Sequence, residues 1–350
     1  MLPKAELHLH IEGTLEPELL IRLARRNGIA LPTTDPEALR RARGRFGDLR
    51  SFLDVYYDGV AVLRTEQDFY DLGRAYLARA HAGGVRRAEI FLDPQQHLSN
   101  GVPLEAVFGG LSAALAEADA AFGLSGDLIL CFLRDWGADA AQDMLSAALP
   151  FREHFIGVGL DSAEVGHPPS LFRDVFARAR SEGLRRVAHA GEEGGPDYVW
   201  EALDVLGVER VDHGIRAMED ADLVQRLRDE RVPLTVCPLS NVALRVVGTL
   251  ADHVLPAMLD EGLLVTVNSD DPAYFGGYID DNFTAVRNEL GLDERHLHTL
   301  AANSFAACFA PPQRRAAWQR ELDISTTAAT AVANGAGAPR AHGPHQDLGR

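Results

Sequence analysis

The chain has 350 residues, 46% of them hydrophobic, which is ample for a sizeable core in one large domain or two. A formal net charge of -17 and a pI of about 5.2 argue against a phosphate backbone as partner, so no nucleic acid is expected. The three cysteines, Cys131, Cys237 and Cys308, are isolated and make neither a disulfide framework nor a CxxC zinc motif; no uncharged run is long enough to span a bilayer, so no membrane is expected either.

Lys4 and Glu6 follow the first residue at once, and histidines break the next apolar run, so no secretory signal is expected and the cytoplasm is the default. That first run, Ala5 to Ile11, reads as a strand. Side chains alternate along a strand, so His8 and His10 share a face, where two imidazoles can hold one metal ion. The segment from Leu31 to Tyr57 reads as extra helices after this strand. A helix is predicted over Glu66 to His81, a strand over Arg87 to Leu92 and a helix over Leu104 to Ala121. Strands follow at Leu128 to Leu133 and Phe155 to Leu160, then a helix at Ser170 to Glu182 behind Pro168-Pro169. The last four strands are Arg186 to His189, Arg210 to His213, Pro233 to Cys237 and Leu263 to Asn268. Strands alternating with helices imply a parallel sheet, and about eight such units fit an α/β fold of the TIM (β/α)8 barrel type. A doubly wound open sheet is the alternative that spacing does not exclude. The barrel is expected to fill residues 1–324. Beyond about Ser325 the composition turns to Ala, Thr, Gly, Pro and His, which predicts a disordered tail over 325–350 with His342 and His345 in it.

In such a barrel the reacting groups sit at the C-terminal ends of the strands. Four strand ends here carry chemistry: His8 and His10, His189-Ala190-Gly191-Glu192, Asp212-His213-Gly214, and Asn268-Ser269-Asp270-Asp271-Pro272. Two strand histidines alone are an even choice between a metal half-site and a core pair; His189 and Asp270 tip it toward metal. Three imidazoles and a carboxylate form a mixed N/O site suited to zinc with an exchangeable position, one ion per chain. Glu192 is either a carboxylate at a helix N-terminus or a general acid/base. His213 is either a core histidine paired with its neighbour or the group that orients an attacking hydroxide. Asp270 and Asp271 are costly as bare neighbours, so one is expected on metal and the other toward substrate, or both in a turn and helix cap. Cys237-Pro238-Leu239-Ser240-Asn241 reads as structural, and no dinucleotide fingerprint or Walker loop is present.

These motifs, in this order and spread from about Leu2 to Ala310, resemble the adenosine and AMP deaminase family of zinc-dependent barrel hydrolases. Within it the chain resembles the adenine deaminase branch, through His10-Ile11-Glu12-Gly13-Thr14-Leu15-Glu16-Pro17, Glu164-Val165-Gly166-His167-Pro168-Pro169 and the run from Asn268 to Gly277. The resemblance implies hydrolysis of adenine to hypoxanthine and ammonia in purine salvage. His8, His10, His189 and Asp270 would bind zinc, Glu192 would give a proton to N1, His213 would assist the attacking hydroxide, and Asp271 would hydrogen-bond N7. Glu12 stands where adenosine deaminases usually carry an Asp that holds ribose, and by the same resemblance Asp161-Ser162 stands where they contact substrate through a glycine. Glu12 and Ser162 are therefore expected at the substrate, favouring a free purine base over a nucleoside. Deamination of adenosine or of an N6-substituted adenine is the alternative. A catalytically silent purine-binding protein is the alternative of another class, disfavoured because acid, histidine and ligands are all present. Oligomeric state, including a homo-oligomer, stays open.

Overall fold

Eight apolar runs become eight parallel strands hydrogen-bonded in chain order: β1 (Lys4–Glu6), β2 (Val85–Leu92), β3 (Ser125–Leu133), β4 (Phe155–Asp161), β5 (Arg185–Ala190), β6 (Arg210–His213), β7 (Pro233–Val236) and β8 (Leu264–Val267). This is the expected barrel, drawn from a computed structural model that describes the backbone of residues 1–44 and 46–335 and the side chains through 326. Strands covered on both faces need continuous apolar sequence, and Leu128 to Leu133 is fully buried throughout.

The first strand is shorter than expected. Past Glu6 the chain stays extended but pairs residue by residue with both neighbours. The Phe91 amide donates to Leu9 O (2.8 Å), the Asp270 amide to His8 O (3.1 Å) and the His10 amide to Asp270 O (3.1 Å). The Leu7 amide donates to the Asn268 side chain (2.9 Å). The seam between β1 and β8 is thus closed by the residues expected to bind metal.

The extra helices after β1 are present as α1 (Pro17–Asn27), α2 (Pro36–Arg43) and α3 (Leu49–Val60). Pro17 opens α1 and Gly28, at φ 67°, closes it. Asp48 and Ser51 form a capping box at α3, as Thr65 and Asp68 do at α4 (Glu66–Ala82). Next come the short α5 (Pro94–Ser99) and α6 (Leu104–Phe122). The helix expected over Ser170 to Glu182 is divided into a 3-10 turn, Pro169–Phe172, and an α-helix, Arg173–Ser181. The tail differs from expectation. One helix runs Pro312–Gly335, across the boundary placed at 325. It is anchored by buried Trp318, stacked on Phe305, and by Leu322, and an anchored helix extends readily into alanine-rich sequence. Residues 336–350, with His342 and His345, lie outside the described residues. No helix among the described residues is long and apolar enough to cross a membrane.

The floor of the barrel is charged yet closed. Glu89 accepts from Arg210 (2.5 Å), from Arg87 (3.1 Å) and from the Phe309 amide (2.6 Å). Arg210 also donates to Leu7 O (3.1 Å), and Arg87 reaches Asp127 at 2.5 Å. Buried ions are tolerated when paired and hydrogen-bonded in this way.

Candidate active site

The strand ends meet as the alternation of β1 requires: His8 and His10 point into the barrel mouth with ring centroids 5.7 Å apart. His8 Nε2 lies 3.4 Å and His10 Nε2 3.6 Å from Asp270 Oδ1, and His10 Nε2 is 3.2 Å from His189 Nε2. His213 joins them, with its Nε2 3.8 Å from Asp270 Oδ2. One atom each from His8, His189, His213 and Asp270 falls within 4.8 Å of the others. The three expected histidines therefore gather around Asp270, with His213 beside them. His213 and Asp270 sit at φ 62° and 64°, left-handed turns that swing each side chain off its strand end.

Hydrogen bonding tests whether a cation fits. The Thr235 hydroxyl donates to Asp212 Oδ1 (2.8 Å), so its oxygen accepts the His8 Nδ1 proton (2.9 Å). His8 Nε2 is then a bare lone pair facing a carboxylate oxygen, buried and without a hydrogen-bond partner. A divalent cation between these groups would satisfy both, and Asp212 and Thr235 orient the ligand from behind. Asp212, expected as a partner of His213, serves His8 instead.

His213 is oriented by a chain of partners. The Leu255 amide donates to His253 Nδ1 (3.0 Å), so His253 carries its proton on Nε2 and donates to Asn241 Oδ1 (3.2 Å). The Asn241 amide nitrogen then faces His213 Nδ1 at 3.4 Å as donor. Neutral His213 is thereby assigned its proton on Nε2, which lies 3.5 Å from Glu192 Oε2. Burial, reinforced by His8, pushes the His213 pKa down to about 3. Asn241, within a stretch read as structural, is the link in this chain.

Glu192 is held by a residue that the sequence reading quoted within a branch motif but gave no role. Buried Glu164 accepts four backbone amides, from Gly191 (2.7 Å), Glu192 (3.1 Å), Glu193 (2.7 Å) and Gly194 (2.8 Å), and so fixes the loop after β5. Burial, then the charges of Asp270 and Glu164, raise the Glu192 carboxyl well above the usual range. Asp271 is raised the same way by burial and Asp270. Burial also works to raise Asp270, but the facing His8, His213 and His10 hold it well below the usual range. Asp271 packs against Gly13 so closely that a Cβ there would lie 2.0 Å from Asp271 Oδ1.

His10, His189, Glu192, His213, Asp270 and Asp271 line one cavity, together with Asp93, Asp161 and Ser162. Leu49, Phe52, Leu53, Tyr56 and Tyr57 of α3, with Leu244 and Phe275, supply its apolar wall. Ser162 stands in the wall, 3.4 Å from the Tyr57 hydroxyl. Glu12 does not. Its Oε1 accepts from the Asp93 amide (3.1 Å) and pairs with His97 Nε2 (2.7 Å), which holds it behind the wall rather than in the substrate space. The sequence reading also missed Asp93 just after β2, although Asp93-Pro94 repeats the strand-end signal of Asp271-Pro272.

A parallel eight-stranded barrel whose mouth gathers imidazoles and carboxylates around one cation-sized space defines the metal-dependent amidohydrolase class. The chain belongs to the adenosine deaminase family, whose model matches residues 3–324. It is 65% identical to an adenine deaminase of Streptomyces coelicolor over 88% of this chain and 90% of that one. It is 58% identical to an adenine deaminase of Rhodospirillum rubrum over 92% and 96%. The crystal structure of adenine deaminase from Arthrobacter aurescens superposes with a TM-score of 0.92 at 57% identity, covering 93% of this chain and all of that one. An amidohydrolase from Burkholderia ambifaria with bound Zn superposes with a TM-score of 0.86 at 27% identity, covering 94% and 93%.

Proposed function

We propose that this chain hydrolyses adenine to hypoxanthine and ammonia, as a zinc-dependent enzyme of purine salvage in the cytoplasm. The observation that carries the reading is the set of buried, unpartnered acid oxygens in one cavity, Glu192 Oε1 and Asp271 Oδ1 among them, beside the histidine cluster. Relatives at 65% and 58% identity that bear the name adenine deaminase support it.

His8, His10, His189 and Asp270 would hold the ion, one per chain. When bound, zinc supplies Lewis-acid activation of water near neutral pH. The remaining chemistry belongs to the protein. Glu192, whose carboxyl is raised by burial and the charge of Asp270, delivers a proton to N1, so that no ring anion builds up as oxygen adds to C6. His213, carrying its proton on Nε2, orients the adding oxygen. Asp271, its carboxyl raised by burial and Asp270, faces N7. Loss of ammonia from C6 then leaves hypoxanthine. The apolar residues of α3 exclude bulk water and pack on the faces of the base.

A purine panel and a metal analysis on one preparation test the reading. Ammonia release from adenine should far exceed that from adenosine or N6-methyladenine, with about one zinc per chain. Faster turnover of adenosine, or binding of adenine without ammonia release, would overturn it.

A further inference from the structure

Two aspartates follow strand ends and precede prolines, Asp93 after β2 and Asp271 after β8. Both occupy the N-cap position of a short helix, yet neither side chain makes a capping hydrogen bond. An N-cap aspartate normally accepts from the first turn, so both carboxyls have been turned to another use. Both line the cavity. Asp93 is 3% exposed, and its Oδ1 has no hydrogen-bond partner. A buried acceptor left unpaired is costly unless something arrives to satisfy it.

We propose that Asp93 is the specificity residue that distinguishes an unsubstituted purine from one substituted on N9, its free Oδ1 accepting the N9–H. This deepens the adenine reading and rests on it. With N1 at Glu192 on the β5 side and N7 at Asp271 on the β8 side, the five-membered ring turns toward β8, β1 and β2, where Asp93 stands. The charges that Asp93 feels are those of Asp161, Glu12 and His10, and Asp271 in turn feels Asp93. The imidazole edge of adenine offers an acceptor at N7 and a donor at N9. The unpaired Oδ1 atoms of Asp271 and Asp93 face that edge in the same order, N7 then N9. Asp93 lies within hydrogen-bonding reach of Asp161, and whether it is ionised or donates a proton to Asp161, Oδ1 remains an acceptor. A nucleoside has no N9–H and would leave that oxygen unpaired, a penalty that hydrogen-bonding sites use to reject analogues. Glu12 accepts the Asp93 amide and so positions this residue from behind the wall. Asp161 is the poorer target for a test, because its Oδ2 lies 3.6 Å from His10 Nδ1.

The test uses the zinc-loaded Glu192→Gln protein, in which turnover is suppressed, with and without Asp93→Ala, and calorimetric titration with adenine and with 9-methyladenine. Loss of one hydrogen bond to a buried acid predicts adenine affinity at least about tenfold weaker in the double variant. Binding of 9-methyladenine should be unchanged or tighter. Asp93→Asn retains an acceptor and should restore most of the adenine affinity, which a merely structural role would not require. Equal weakening of both ligands, or no change for adenine, overturns the proposal. Failure of the adenine reading shows separately, as wild-type protein that prefers adenosine.

Discussion

The barrel buries charge at both ends, and the two ends treat it differently. At the floor, Glu89 accepts from two arginines and a backbone amide, and of the Arg210 donors only Nε lacks a hydrogen bond, 3.7 Å from Asp212. At the mouth, Glu192, Asp271, Asp93 and Asp161 each keep a buried oxygen without a partner. Satisfied charges hold a fold together; unsatisfied ones in a cavity mark where a ligand completes the bonding. The same residue types therefore serve stability at one end and chemistry at the other.

That contrast can be broken or sharpened by experiment. Glu192→Gln should lower kcat by about 10²- to 10⁴-fold with zinc content and melting temperature near wild type; loss of metal instead would make Glu192 a ligand. At the floor, Glu89→Gln should cost about 3–5 kcal/mol in urea unfolding while the folded fraction turns over normally. A large change in kcat there would show that the two ends are coupled. His253 offers a pH test. Burial lowers its pKa from 6.5 to about 4, so the folded state refuses a proton that the unfolded chain accepts. Stability is unaffected above pH 6.5 and falls as pH drops from 6.5 to about 4, by about 3 kcal/mol. His253→Gln should flatten this part of the profile, and an unchanged slope would reassign it to other groups. The smallest effect is expected for Glu164→Gln, which sets one amide group against amide donors of the 191–194 loop. A loss of about 1–3 kcal/mol is expected, with faster hydrogen exchange of those four amides. Retained protection would mean that the loop holds itself.

What was legible in the sequence was what is local. The chemical groups lie within four residues of the strand ends that carry them, so His8, His10, His189, Glu192, His213, Asp270 and Asp271 could be placed before any fold was known. Asp93 was equally legible, as an Asp-Pro after a strand, and was passed over because its oxygen acquires meaning only beside Asp271. Glu12 was placed one layer too far in, since nothing in the sequence reveals that His97, 85 residues later, takes its carboxylate. Glu164 was hidden for the same reason, its four amides lying 27 to 30 residues away. The last helix ran on because Trp318 and Leu322 anchor it, and composition alone does not report an anchor.

The seam between first and last strands has a consequence for how the protein is made. Leu7 and Asn268, 261 positions apart, fasten it, and His8 and Asp270 share backbone bonds across it. On the ribosome, the imidazoles emerge long before the carboxylate that completes their set. A nascent chain lacking its eighth strand has neither a sealed barrel nor the carboxylate of the proposed ligand set, so on that proposal loading with metal belongs to the end of synthesis. Chains arrested before Asn268 should stay protease-sensitive however much zinc is supplied, whereas chains released after Ala310 should gain resistance with it.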